Sequence, residues 1–349
     1  MTDDGSLPFD AGTSAWLLRE ALPGDRPLHA EVLRGGHNNE SLLLTTGRGH
    51  RYVLRRYLPG APGVPRNPCA VEAALLRRLR GRVPVPEVVA EDPDGRATGR
   101  PALVYRFVDG TPLADVLASA PPDVTGLGRA VGSALARIGG IALPGSGHFT
   151  DGTLSPGRRG DGFLGDLPGF VSRCLASVPD PDESAATDTP GRDTARPGAD
   201  GTGRAGARLG ADEVRALSRL AARYAALCAA AGRERRLVHN DFNPKNVLVA
   251  RHGDGTWRVT AVLDWELAFS GPPLTDVGNM LRFAHEYPSG FAASFVAGFR
   301  DGSGPLPDDW RRLSRALDLF ALADILTHPP DDGLFTRARS VLARYAAEE

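Results

Sequence analysis

The sequence predicts a mixed α+β fold: a small antiparallel sheet with one helix, then a mainly helical remainder that carries a β-hairpin. Three observations lead there. Short apolar runs fill the first third, HAEVLRGG, ESLLLTT and HRYVLRRY, separated by GGHN and GRGH, the turn chemistry of consecutive antiparallel strands. Beyond about Arg106 the apolar residues recur at helical spacing instead. Residues 247–266 then read as strand, HGDG turn and returning strand, VLVA to TAVLDWE. A length of 349 residues suits two domains or one bilobal unit.

Each element has its own signal. AVEAALLRRLRG places Val71, Ala74, Leu75 and Leu79 on one helical face and stops at Gly81. VPVPEVVAED and PALVYRFVDG are two further strands whose prolines mark edges or strand starts. GLGRAVGSALARIGG carries Leu127, Val131, Leu135 and Ile138 as one stripe, and ADEVRALSRLAARYAALCAAAG does the same with Val214, Leu217, Ala221, Tyr224 and Cys228. Between these two helices, residues 179–209 hold almost no large apolar side chain and many Pro, Gly, Asp and Thr. Such a segment buries too little surface to offset its ordering entropy, so it is expected to be a disordered insertion. DDWRRLSRALDLFALADILTH and LFTRARSVLARYAAEE are closing helices.

Composition narrows the function classes. With 41 basic and 42 acidic residues the formal charge is −1, without the basic excess of a nucleic-acid binder. No uncharged apolar run is long enough to cross a bilayer, and MTDDGSLPFD has neither the basic nor the apolar region of a secretory signal. Cys69, Cys174 and Cys228 are odd in number and widely spaced, as expected of reduced thiols. These features together predict a cytoplasmic protein with no membrane or nucleic-acid partner. Of the 41 lysines and arginines, only Lys245 is a lysine.

That lysine lies in the most informative stretch, RRLVHNDFNPKNVLVARHGDGTWRVTAVLDWELAFSG. Asp241 and Asn246 fall near one end of the hairpin, with Asp264 on the returning strand. Two carboxylates and a carboxamide converging there suit Mg²⁺, which takes few protein oxygens and leaves its other positions to water and phosphate. Phosphoryl transfer asks for little more: an acceptor oxygen held in line, metal across the phosphates, and positive charge beside the developing negative charge.

HxDxxxxN, then an apolar strand, a turn and a second strand ending in Asp, resembles the catalytic core of the aminoglycoside phosphotransferase family. The resemblance spans nearly the whole chain outside the insertion. It implies a bilobal protein-kinase-like fold, with residues 1–107 as a nucleotide-binding lobe and 108–349 as a catalytic and substrate-binding lobe. It also implies that Asp241 accepts the substrate hydroxyl proton while Asn246 and Asp264 hold Mg²⁺. Asp276, in PPLTDVGNM, resembles the acid that hydrogen-bonds the catalytic loop, and Asn240 stands where Gly is commoner, as in choline and ethanolamine kinases. LRGGHNNESLLLTT resembles the nucleotide-positioning hairpin, where Gly35 and Gly36 would let backbone approach phosphate. Arg55, in YVLRRY, takes the place of the phosphate-gripping lysine and would pair with Glu72. VYRFV, with Tyr105, Phe107 and Val108, resembles the hinge that reads the base, and Arg106 within it reads as a surface residue.

Lys245 falls four residues past Asp241, where tyrosine kinases of this fold carry an arginine near the transferring phosphate. A mobile charge beside the γ-phosphoryl is one reading, and a solvated loop residue the other. His239 reads as a buried residue that orients the loop, and Phe242 and Trp265 as core. Glu266, Asp161 and Asp166 read as solvated carboxylates, with contact to a cationic substrate as the alternative. The expected activity is Mg²⁺-dependent transfer of phosphate from ATP or GTP to a hydroxyl of a small molecule, an antibiotic in self-resistance or biosynthesis. The alternatives are a choline-like or sugar metabolite kinase and, in another class, an inactive nucleotide-binding module.

Overall fold

The computed structural model describes residues 7–33, 39–58, 67–157, 164–177, 209–327 and 333–348. Gly35, Gly36, Asp161 and nearly all of the predicted insertion lie outside the described residues. The chain groups into two compact units, Met1–Phe163 with Ala231–Trp310, and Leu164–Ala230 with Arg311–Glu349.

The first unit begins with an element the sequence reading missed. Helix α1 (Ala11–Trp16) is capped by Asp10, whose carboxylate accepts the Thr13 N–H at 2.6 Å. It widens into a π-turn over Leu17–Ala21, where the Leu22 N–H reaches back five residues to the Leu17 carbonyl. That slip moves the apolar stripe by one position and blurs the 3.6-residue period by which a helix is recognised. Trp16, Leu17, Ala21 and Leu22 are buried in one cluster with Leu42, Leu44, Leu54 and Val104. This half of the sheet therefore carries two helical segments, one more than expected.

The expected strands follow: β1 (Pro27–Val32), β2 (Asn39–Thr46) and β3 (Arg51–Tyr57). Then come α2 (Pro68–Leu79), β4 (Val88–Asp92) and β5 (Ala102–Arg106). The strands form an antiparallel sheet in the order β1-β2-β3-β5-β4. Helix α2 starts where Asn67 accepts the Ala70 N–H and Pro68 occupies the first turn. Its buried face includes one charged residue, Glu72. Central strand β3 is buried almost throughout, and its period-two alternation puts Arg55 and Tyr57 on one face.

The chain continues through β6 (Thr111–Pro112), α3 (Leu113–Ala118), α4 (Val124–Gly139) and β7 (Gly147–His148). All four residues of the predicted α4 stripe, Leu127, Val131, Leu135 and Ile138, are fully buried. After α5 (Leu167–Ser177) and α6 (Ala211–Ala231) come β8 (Arg236–Val238), β9 (Val247–Arg251), β10 (Trp257–Val262) and β11 (Phe269–Gly271). The β9–β10 hairpin is the predicted one, and β6 adds a third strand to it. A second small sheet, β7-β11-β8, was not legible, because strands of two or three residues leave no periodic trace.

Last come α7 (Leu274–Leu281), α8 (Phe291–Ser303), α9 (Trp310–Ile325) and α10 (Gly333–Glu348). Helices α4 and α8 pack with their backbones nearly touching. A Cβ on Gly132 would lie 2.0 Å from the Phe295 carbonyl oxygen, and one on Gly298 would lie 2.3 Å from that of Arg129, so only glycine permits the approach.

The second unit is built from α5, α6, α9 and α10. Leu217, Ala221, Tyr224 and Cys228 of α6 are buried as the stripe predicts, and Val214 is half-buried. Arg339 of α10 donates two hydrogen bonds to Glu213, each 2.9 Å long. Among the described residues no helix is long and apolar enough to cross a membrane.

Candidate active site

Strand β8 delivers the chain into the loop His239–Asn246, and the loop is held by neutral donors. Asp276, fully buried on α7, accepts the backbone N–H groups of His239 and Asn240 at 2.8 Å each. Burial raises its pKa to about 7, against the pull of those two N–H groups. His239 is also fully buried; one ring nitrogen lies 2.9 Å from the Leu263 carbonyl and the other accepts the Asp241 N–H at 3.3 Å. That pattern fixes the neutral tautomer with the proton on Nε2, and burial lowers the pKa to about 4. Phe242 and Trp265 are fully buried, so both are core residues as expected.

Asn240 adopts a left-handed conformation with φ +69°, which non-glycine residues rarely take. The carboxylate of Asp241, just beyond it, is held by two side-chain amides. Asn243 Nδ2 donates to Oδ1 at 2.8 Å and Asn246 Nδ2 to Oδ2 at 2.7 Å. Burial, and then the charge of Asp264, raise its pKa to about 6. Because Asn246 turns its amide nitrogen toward Asp241, its carbonyl oxygen stays available to another ligand.

Asp264 departs from its predicted place. Strand β10 ends at Val262, and the Leu263 N–H donates to the Asn246 carbonyl at 2.8 Å, tying loop to hairpin. Asp264 therefore follows the strand, in a left-handed conformation with φ +67°. Its carboxylate meets Arg55, Nη2 to Oδ1 at 2.5 Å.

Arg55 is the hub of a second, buried cluster. Its Nε lies 3.3 Å from Glu72 and its Nη2 is 3.4 Å from Glu266. Burial alone would lower its pKa, but Glu72, Asp264, Tyr57 and Glu266 outweigh that and hold it well above the ordinary value. Glu266 is neither solvated nor open to a cationic substrate. It is buried, and besides Arg55 it accepts a 2.7 Å hydrogen bond from Asn39 Nδ2 at the start of β2. Asp166, the other described carboxylate of that group, accepts the Gly169 N–H early in α5 and pairs with Arg173.

The three residues expected at the hinge differ. Tyr105 is buried, with its phenol toward Arg55 and its pKa raised by burial. The Phe107 N–H already donates to the Arg51 carbonyl at 3.1 Å. The Val108 N–H makes no hydrogen bond among the described residues. Arg106 is exposed and pairs with Glu87. Lys245 donates its backbone N–H to Asn243 Oδ1 at 2.9 Å, while its side chain is exposed and makes no ion pair among the described residues. Arg55, Glu72 and Asp264 thus form one group of contacts and Asn246 and Asp241 another, tied by the Leu263–Asn246 backbone bond, and the Lys245 side chain is joined to neither. Sequence reasoning missed Asn243 and Asn39 as anchors of carboxylates; the asparagines in NDFNPKN and GGHNNE were the available signal.

The model of the phosphotransferase enzyme family matches residues 29–315, which contain all of this geometry. The chain belongs to that family. It is an enzyme, a small-molecule phosphotransferase with the mixed α+β, protein-kinase-like fold. Similar solved structures include a thermostable mutant of aminoglycoside phosphotransferase APH(4)-Ia in its apo form. It is 20% identical, with a TM-score of 0.64 over 93% of this chain and 95% of that one. The GDP complex of wild-type aminoglycoside 2'-phosphotransferase-IIIa is 18% identical, with a TM-score of 0.60 over 96% and 98%. The GDP and kanamycin complex of APH(2'')-IIIa is 17% identical, with a TM-score of 0.61 over 97% and 100%. No curated protein sequence matches the chain.

Proposed function

We propose that this phosphotransferase moves the γ-phosphoryl group of ATP or GTP to a hydroxyl of an aminoglycoside-like antibiotic, with Mg²⁺, in the cytoplasm and in a role of resistance. One observation carries the reading: Asp241, Asn246, Asp264 and Arg55 meet at the end of one hairpin. Similar structures are described as complexes of AMP-PNP with hygromycin B and of GDP with kanamycin, which supports the nucleotide and acceptor classes.

The donor set fits Mg²⁺. It offers one carboxylate and one amide carbonyl, both hard oxygens, with places left for water and phosphate. Asn246 and Asp264 would hold the ion, which supplies charge neutralisation across the phosphates. In this reading Asp241, aligned by Asn243 and Asn246, accepts the proton of the acceptor hydroxyl. A pKa of about 6 leaves it ionised at neutral pH yet basic enough to take a proton. Arg55, whose Nη2 pairs with Asp264 and Glu266, would offer its terminal nitrogens to the phosphates beside Asp264, and the Val108 N–H would be the hinge donor to the base. Residues 1–107 form the nucleotide-binding lobe and 108–349 the catalytic and substrate-binding lobe.

The test is turnover of ATP and GTP against a panel of aminoglycosides, macrolides, nucleosides, choline and sugars, with ³¹P NMR of the product. A phosphate monoester on an aminoglycoside supports the reading. Phosphorylation of choline or a sugar alone replaces the acceptor, and no turnover with any acceptor refutes the reading.

A further inference from the structure

Glu72 is buried, and a buried carboxylate needs well-directed donors to stay ionised and in place. Its contact with Arg55 is an ion pair only: at 3.3 Å the Arg55 Nε is too poorly aligned to form a hydrogen bond. Among the described residues, the one hydrogen bond on the Glu72 carboxylate comes from the Tyr57 hydroxyl, 2.6 Å from Oε2. Tyr57 is two residues from Arg55 on β3, on the same face, and its ring lies 5.4 Å from the guanidinium carbon. One side chain thus touches both members of the pair. The ring flanks Arg55 and the hydroxyl orders Glu72. With Nε turned toward Glu72, Arg55 is left to present Nη2 to Asp264 and Glu266.

We propose that Tyr57 is a positioning residue for nucleotide phosphate binding, its hydroxyl fixing Glu72 so that Arg55 holds its terminal nitrogens at the phosphate site. This rests on the phosphate-binding role given to Arg55 above. A lysine ammonium is a compact charge that meets its glutamate from any direction. An arginine is a rigid planar fork, and its direction depends on where the partner oxygen stands. The Arg55 chain therefore needs a second donor on Glu72, and Tyr57 supplies it. The phenol is suited to donate, because burial and the Glu72 charge push its pKa well up and keep it protonated.

The test substitutes Tyr57→Phe, which keeps the ring and removes only the hydroxyl. Calorimetric titration with ATP–Mg²⁺ and with GTP–Mg²⁺ is run across neutral and mildly alkaline pH, beside circular dichroism and a thermal melt. Affinity for the nucleotide bound by wild type should weaken about tenfold at neutral pH, the scale of one hydrogen bond to a charged group. The weakening should ease as pH rises, because the hydroxyl favours the ionised form of Glu72. The groups facing Glu72 in that titration are Arg55 and Tyr57 from β3, Tyr105 from β5, Asp264 and Glu266 from beyond β10, and Cys69 on its own helix. In a Glu72→Ala background the added Tyr57→Phe should change affinity less than twofold.

Wild-type affinity in Tyr57→Phe refutes the positioning role, and so does an equal loss in the Glu72→Ala background. A variant that melts far below wild type assigns the hydroxyl to stability and also overturns the proposal. If wild type binds neither nucleotide, the phosphate reading itself fails and this proposal falls with it.

Discussion

The loop after β8 and the cluster around Arg55 are neighbours, yet they hold buried charge in opposite ways. In the loop, carboxylates are met by neutral donors: two backbone N–H groups on Asp276, two side-chain amides on Asp241. Around Arg55, charge meets charge, one guanidinium among Glu72, Asp264 and Glu266. Fixed amides set a position without cancelling a charge, so Asp241 is held in place and stays ionised at neutral pH. Opposite charges cancel each other, and their arrangement changes when another charged group enters. The loop is fixed by neutral donors, and under the function proposed above the cluster is the part that a charged ligand would rearrange.

The sharpest way to break this comparison is Asp241→Asn. The amide keeps the shape and removes the proposed proton acceptor, so kcat should fall about a thousandfold while nucleotide affinity measured by calorimetry stays near wild type. Turnover within tenfold of wild type would place the base elsewhere. Asp264→Ala should act through the metal instead. Removing a direct ligand should raise the Mg²⁺ needed for half-maximal rate about a hundredfold, the upper range for loss of a ligand's supporting partner. An unchanged Mg²⁺ titration would remove Asp264 from the metal site.

Lys245→Ala sharpens the boundary of the cluster. The side chain is exposed and free of ion pairs among the described residues, so solvent screens it; kcat should drop about tenfold, less than the roughly hundredfold to thousandfold loss of a preorganised, water-excluded donor. Lys245→Arg should retain part of the rate. A kcat within twofold in the alanine variant would make this lysine a solvated loop residue.

The smallest effect belongs to His239 and is read by urea denaturation against pH. Its pKa is depressed from 6.5 to about 4 in the folded chain, so the unfolded chain takes up a proton first. The stability it contributes is present above pH 6.5 and is lost as pH falls toward 4. Between pH 7 and 5.5 the expected loss is about 1 kcal/mol. His239→Gln should remove that loss from the measured pH dependence, to which Asp276 and Asp241, with raised pKa values, contribute with the opposite sign; an equal pH dependence in both proteins would show that other groups carry the proton uptake.

Local rules made the five-stranded sheet, α2, the β9–β10 hairpin and the α4 stripe legible, because each repeats a period or ends in turn residues. The place of Asp241 and Asn246 in one loop before the hairpin was legible through their spacing. The conformation of Asp264 was not, since a left-handed aspartate is set by the tie between Leu263 and Asn246. Burial of Glu266 was also hidden. A glutamate is exposed by default, and what encloses this one comes from Asn39 and Arg55, more than two hundred residues away in the chain. The Tyr57 contact is likewise tertiary, needing β3 and α2 brought face to face.

The near-contact of α4 and α8 has a further consequence, for the history of the chain. These helices join residues 124–139 to residues 291–303, so folding closes a loop of roughly 150 residues between them. Closure entropy grows only with the logarithm of length: for a flexible loop, the roughly thirty residues of segment 179–209 add about 0.2 kcal/mol. Each glycine at the crossing, by contrast, admits no added methyl group. Evolution therefore met two unequal constraints here, and a lineage was freer to acquire thirty residues inside the loop than one carbon atom where its ends meet.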